Sequence, residues 1–247
     1  MANEREIDAS KIDTVVFDLD GVITRTESVH HAAWEQLFNE YLEGRSALLG
    51  EPFEPFQASD YLEFVDGKPR YNGVASFLES RNISIPWGSA EDPPEAETVC
   101  GLGNRKNGYF LNRLESDGVD AYASSVAFVR ELQRQGVETA LISSSRNVNE
   151  VLGAAGLLDL FAIRIDGIVA EELGLPGKPS PAVFIEAAAR TGADPDHAAI
   201  VEDAQSGVAA GQAGGFRIVI GVDRGGQAEE LRAAGATVVV SDLDEFV

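Results

Sequence analysis

Short, almost unbroken apolar runs recur along the chain at 12–17, 138–142, 162–165, 198–201, 216–220 and 237–240. Runs of this length, rich in β-branched residues and free of polar alternation, predict strands buried on both faces. Amphipathic stretches separate the later runs, at 125–135, 148–155, 181–191, 208–213 and 228–234. Strand alternating with helix predicts an α/β fold, a Rossmann-like parallel sheet with helices on both faces.

The rhythm breaks between Asp20 and Asp120. Apolar residues at 29, 33, 37 and 41 form a helical stripe, and further helical segments are predicted at 73–80 and 104–115. The stretch 86–98 carries three prolines and four acids and predicts an exposed loop. So many mainly helical residues between the first two strands exceed any crossover connection. They predict an inserted helical domain over 25–117, with the sheet core built from 1–24 and 118–247. There is no internal repeat and no long low-complexity tract.

Length and charge narrow the functions available. At 247 residues the chain can bury one or two sizeable cores. Its 19 basic against 41 acidic residues give a net charge of −22, which argues against nucleic acid and anionic membranes as partners. One cysteine, Cys100, forbids an internal disulfide, and no cluster has zinc spacing. The stretch 1–11 is polar, without the apolar core of a signal peptide, and no run is long enough to span a membrane. The expectation is a cytoplasmic monomer acting on small molecules. Lysine is scarce: only Lys11, Lys68, Lys106 and Lys178.

Ligands of open parallel sheets sit beyond the carboxyl ends of the strands, and polar residues cluster there. The first strand ends in Asp18-Leu19-Asp20-Gly21, the second in Ser143-Ser144-Ser145-Arg146-Asn147 and the fourth in Glu202-Asp203, while Lys178 lies in the loop 174–181. Carboxylates suit a hard cation, a hydroxyl at a helix N-terminus suits an oxyanion, and an ammonium completes the set. That combination suits Mg²⁺ with a phosphate group.

Phe17-Asp18-Leu19-Asp20-Gly21-Val22 resembles the first motif of the haloacid dehalogenase superfamily of phosphotransferases. Leu141-Ile142-Ser143, Lys178-Pro179 and Val201-Glu202-Asp203, followed by 206–211, resemble its second, third and fourth motifs in order. The resemblance implies that Asp18 is the nucleophile forming an aspartyl-phosphate. It makes Asp20 the general acid and base, its carbonyl also binding metal. Ser143 and the Ser144 amide would hold phosphoryl oxygens, and Lys178 would bridge nucleophile and phosphate. Asp203, with Glu202 assisting, would complete an Mg²⁺ site alongside Asp18.

The stretch from Asp18 to Trp34 is similar to the opening of the β-phosphoglucomutase subgroup, including His30 and Trp34 of the first cap helix. Spaced i, i+4, these two share a helix face, although core packing alone accounts for Trp34. Gly67-Lys68-Pro69-Arg70 resembles the subgroup's substrate-binding loop, with Arg70 at its distal-phosphate arginine. Arg105-Lys106-Asn107 resembles its second cap contact, and Ser145-Arg146-Asn147 its core-side contact with the distal phosphate. An ordinary solvated surface is the alternative for Arg70, Lys106 and Arg146. The chain departs from the subgroup at Arg25, where an acid is usual, at Ala123-Ser124, which replaces Pro-Gly, and in the longer loop 86–98.

The resemblance implies a phosphoglucomutase acting on β-glucose 1-phosphate, with a sugar-phosphate phosphatase as the alternative and a sugar-phosphate sensor as a non-enzymatic one. Other signals are bland. Residues 101–106 superficially look like a phosphate loop, but no strand precedes them. The glycine-rich stretches 211–215 and 221–226 suit turns and close packing. Cys100 reads as a buried or half-buried thiol, and His31 and His197 as surface residues.

Overall fold

A computed structural model of the protein describes residues 12–50, 52 and 54–247, so the polar stretch 1–11 lies outside the described residues. Two compact units emerge, Met1–Arg25 with Val119–Val247 and, between them in sequence, Thr26–Gly118.

The first unit is an α/β core. Its strands are β1 (Thr14–Asp18), β2 (Glu138–Ile142), β3 (Ile163–Ile165), β4 (Ala198–Glu202), β5 (Ile218–Val222) and β6 (Val238–Val240). They form one parallel sheet in the order β3-β2-β1-β4-β5-β6. Every residue of β1 and β4 is buried, as their unbroken apolar runs require. The fifth strand begins two residues later than its apolar run. Phe216 is still in the turn, its amide bonded to the Gly211 carbonyl and its ring edge-on to Phe184, and the ladder starts at Ile218 opposite Ala199.

The chain leaves β1 toward β2 and β3 and returns to β1's other side as β4. Strand order therefore reverses between β1 and β4, the place where open sheets leave a crevice at their carboxyl ends. Asp18 and Glu202 end these two strands and lie side by side, since Phe17 pairs with Val201.

The second unit is helical: α1 (Glu27–Leu49), α2 (Ala58–Asp60), α3 (Arg70–Ser80) and α4 (Val99–Asp117), with one π-helical turn at Tyr61–Val65. Its core is aromatic. Phe38 stacks on Trp34 with centroids 5.3 Å apart and meets Phe77 at 4.0 Å. The first helix outruns its packed stripe by two turns in which Leu42, Glu43, Arg45, Ala47, Leu48 and Leu49 outweigh Gly44, until Gly50 closes it in the left-handed conformation (φ 70°), its amide bonded to the Ser46 carbonyl. The fourth begins five residues before its predicted start, where Thr98 caps it by accepting from the Gly101 amide. Its early glycines do not signal a loop. A Cβ on Gly101 would lie 2.4 Å from the Ala96 carbonyl oxygen, and one on Gly103 2.7 Å from the Tyr71 ring. The stretch that superficially looked like a phosphate loop is thus a closely packed helical turn.

The core unit's helices are α5 (Ala123–Arg134), α6 (Val148–Ala154), α7 (Gly167–Glu172), α8 (Ala182–Thr191), α9 (Gln205–Ala213) and α10 (Ala228–Ala233). Among the described residues no helix is long and apolar enough to cross a membrane.

Candidate active site

The loop that follows β1 is folded tightly on itself. Gly21 has φ 78°, which an L side chain tolerates poorly. Its amide bonds to the Thr24 carbonyl, while the amides of Ile23 and Thr24 both bond to the carbonyl of Leu19. This loop projects Asp20 beyond the strand end that carries Asp18.

Asp18 is buried, and Lys178 donates to its Oδ1 at 2.6 Å. The same ammonium donates to Glu202 Oε1, and the Ala204 amide binds Glu202 Oε2 at 2.8 Å. Both oxygens of this fully buried glutamate are thus engaged. Burial alone would depress the lysine, but the two carboxylates override it and push its proton affinity above the ordinary lysine range. Burial, followed by the charges of Glu202 and Asp20, outweighs Lys178 and pushes Asp18 well above the ordinary carboxylate range. One ammonium is shared by two buried carboxylates, and the charge of Asp20 bears on Asp18 as well.

An all-oxygen site with negative charge in excess fits a hard divalent cation. Among the described residues no three metal-ligating side chains are already gathered into a cluster. Mg²⁺ does not need one, because it takes one or two carboxylates and completes its shell with phosphate oxygens and water. The carboxylates at these strand ends, Asp18, Glu202 and Asp203, and the Asp20 carbonyl are oxygen donors of the kind Mg²⁺ takes, with both Glu202 oxygens here engaged by Lys178 and the Ala204 amide.

Beyond β2, Ser143 is buried. Its hydroxyl donates to Asp20 Oδ2 at 3.1 Å and accepts from the Ser145 amide at 3.0 Å, while Ser145 Oγ accepts from the Asn147 amide at 3.1 Å. These local bonds shape 143–147 into the approach to α6, and Ser144 lies among them. Arg146 forms an ion pair with Glu171 on α7.

The helical unit holds a second cluster. Lys106 is only 4% exposed, unusual for a lysine. Its Nζ is 2.7 Å from His30 Nδ1 and lies over the rings of Trp34 at 4.8 Å and Phe110 at 4.9 Å. His30 stacks on Phe110 with centroids 4.2 Å apart. Arg70 donates to Asn107 Oδ1 at 2.7 Å. Gly67, at φ 69°, turns the chain just before α3, and Lys68 donates to Ser76.

Three groups of predicted residues are brought together: Asp18, Lys178, Glu202 and Asp20 with Ser143; His30, Trp34 and Lys106; and Arg70 with Asn107. Ser145 and Asn147 are tied to Ser143 by the loop's own bonds, Arg146 pairs with Glu171, and Gly67 stands apart in the turn before α3. Sequence reasoning passed over Phe110, whose signal was its i+4 spacing from Lys106. Gly207, within the motif-like stretch 206–211, makes room for the glutamate: a Cβ there would stand 1.8 Å from Glu202 Oε1. Cys100 is a buried thiol, His31 packs against Phe56 and Tyr61, and His197 lies near Asp13 at the surface.

Residues 12–215 match the family model of haloacid dehalogenase-like hydrolases. The β-phosphoglucomutase of Mycobacterium bovis is 47% identical over 96% of this chain and 92% of its own length. That of Bacillus subtilis is 27% identical over 85% of this chain and 83% of its own. The crystal structure of β-phosphoglucomutase from Clostridium difficile superposes with a TM-score of 0.75 at 22% identity, covering 96% of this chain and 93% of that one.

Proposed function

Because the chain belongs to the haloacid dehalogenase-like hydrolases, in their β-phosphoglucomutase-like subgroup, we propose that this enzyme is a magnesium-dependent phosphotransferase converting β-glucose 1-phosphate to glucose 6-phosphate. The observation that carries the reading is the buried Asp18–Lys178–Glu202 set at the strand-order reversal, with Asp20 two residues on. The similarity to the mycobacterial β-phosphoglucomutase supports the sugar.

Asp18 Oδ1 takes the lysine hydrogen bond, and Oδ2 attacks phosphorus. An Asp18–phosphorus bond forms as the phosphorus–oxygen bond to the sugar breaks. Asp20 gives its proton to the departing oxygen, which would otherwise leave as a poor, strongly basic alkoxide. In the second half, Asp20 takes a proton from the incoming hydroxyl, whose oxygen attacks phosphorus and releases Asp18. Ser143 sets the direction of the Asp20 carboxylate through its hydrogen bond. Lys178 and the Ser144 amide hold the phosphoryl oxygens, and Glu202 keeps Lys178 in place. Bound Mg²⁺, held by Asp18, Asp203 and the Asp20 carbonyl, would supply neutralisation of phosphoryl charge.

Moving phosphate between two positions of a sugar passes through a doubly phosphorylated sugar, which needs cations at both ends. We assign phosphate contacts to Arg70 and Lys106 within the helical unit and to Arg146 and Asn147 within the α/β core, and sugar contacts to His30, Trp34 and Gly67 of the first and Ser145 of the second. We propose separately that the protein acts in the cytoplasm as a monomer. The test is a coupled assay with β-glucose 1-phosphate, Mg²⁺ and a catalytic amount of glucose 1,6-bisphosphate. Formation of glucose 6-phosphate is expected. Stoichiometric release of inorganic phosphate without it would establish the phosphatase instead.

A further inference from the structure

Arg224 follows β5, two strands away from β1, and reaches back to the loop that carries Asp20. Its Nε donates to the Gly21 carbonyl at 3.2 Å. Nη1 donates to Asp242 Oδ2 at 2.8 Å and to the Ser241 carbonyl at 3.3 Å, and Nη2 reaches the buried Ser125 hydroxyl at 3.5 Å. The guanidinium carbon lies 3.7 Å from the centroid of the Tyr122 ring, and that of Arg25 lies 4.2 Å from the same ring. Tyr122 is itself tied to the loop, its amide donating to the Ile23 carbonyl at 2.9 Å. Thr24 bridges Ala121, and the Arg25 amide donates to the Asp120 carbonyl.

The loop from Asp20 to Arg25 is thus braced by its own hydrogen bonds, by backbone pairing with 120–122 and by the Arg224 side chain. A planar fork with donors on every edge and a face free for stacking is a role lysine cannot fill. Gly21 immediately follows Asp20, so a shift of the Gly21–Val22 peptide passes through the Gly21 Cα to the peptide that joins Asp20 to Gly21, and so to the Asp20 carboxylate. Proton transfer is sensitive to such turns, because donor and acceptor must stay within hydrogen-bond reach.

We infer that Arg224 is a positioning residue for the reaction, holding Asp20 in line through the Gly21 carbonyl and the Tyr122 ring. The inference rests on the reading of Asp20 as the general acid, and leaving-group chemistry separates the two. Para-nitrophenolate leaves without a proton, whereas the alkoxide of a sugar requires one. The experiment measures first-turnover phosphoryl transfer to Asp18 from para-nitrophenyl phosphate and from β-glucose 1-phosphate, with Mg²⁺, in the full-length protein and its Arg224→Lys, Tyr122→Leu and Asp20→Asn variants.

For Arg224→Lys the nitrophenolate burst should stay within about twofold of the parent, while transfer from the sugar phosphate falls about tenfold or more, part of the roughly 10²–10⁴-fold that general acid catalysis supplies. Tyr122→Leu removes the stacked ring but keeps the hydrogen bonds, and should show the same selective loss to a smaller degree. It keeps the inference testable should Arg224→Lys fail to fold. Equal losses on both substrates, or no loss on either, would overturn the inference. If Asp20→Asn shows no selective loss, it is the assignment of Asp20 that fails.

Discussion

Gly207, the third residue of α9, stands where its missing side chain is the space that Glu202 occupies. A Cβ built there would lie 1.8 Å from Glu202 Oε1, 2.0 Å from Cδ and 2.6 Å from Cγ. Non-bonded carbons and oxygens settle near about 3.5 Å, so in Gly207→Ala the carboxylate must retreat by roughly 1.5–2 Å. It has nowhere to go, being fully buried with one oxygen on Lys178 and the other on the Ala204 amide. At least one of those bonds breaks, and breaking a buried charge pair costs about 3–5 kcal/mol when a partner is lost outright. Lys178 would then lose the carboxylate that fixes it opposite Asp18. Misplacing one charged donor to a transferring phosphoryl group should slow the reaction about 10²–10³-fold, as removal of an oxyanion donor does. The assay is the first-turnover burst from para-nitrophenyl phosphate beside a thermal melt. Gly108→Ala serves as control, since its Cβ would meet nothing within 4 Å. A parental burst and a parental melt in Gly207→Ala would refute the wedge. A lowered melt with a parental burst would refute the link from Glu202 to Lys178.

Gly108→Ala itself should raise stability by about 0.5–1 kcal/mol, because Gly108 lies inside α4 in open space; denaturant midpoints check this. Glu202→Gln keeps the shape but removes a buried charge, and should depress the Lys178 proton affinity and slow transfer to Asp18; a pH profile whose basic limb moves to lower pH is the expected sign. Phe77→Ala opens a cavity beneath Phe38 and Phe56 and should cost about 3–5 kcal/mol, read as a lowered melting temperature. Burial works against Asp242, yet bonds from the Ser124 hydroxyl, the Asp244 amide and Arg224 hold it below the ordinary value of 3.8. A carboxyl depressed by folding stabilises above that ordinary value and loses the contribution as pH falls through the depressed one. Parent and Asp242→Asn should therefore differ in urea midpoint near neutrality and converge below pH 3.8.

Much of this was legible in the chain because its signals are local. The six apolar runs are the six strands of the sheet, and the carboxylates that end the first and fourth meet because those strands are neighbours. Glycine was harder to read, since the same residue marks a turn at Gly21, a helix end at Gly50 and tight helix packing at Gly101. Gly211, read from sequence as a packing glycine, is one: a Cβ there would lie 2.1 Å from Ile200 Cδ1. The π turn at Tyr61–Val65 and the short α7 have too few residues to show a period. Arg224 left no trace at all. Its partners at positions 21, 122, 125 and 242 are brought to it only by the order of the strands, and no local pattern encodes that order.

The aromatic core of the helical unit also determines what light can report about this protein. Both tryptophans of the chain, Trp34 and Trp87, lie in that unit, and the α/β core has none. Trp34 is sealed against Phe38 beneath the Lys106 ammonium, whereas Trp87 is 52% exposed. Indole emission on denaturation therefore follows the helical unit alone, a blue-shifted buried signal over a red, quencher-accessible background. Far-ultraviolet circular dichroism weighs both units. Overlaying the two traces reveals whether the insert and the sheet melt as one cooperative body or in sequence.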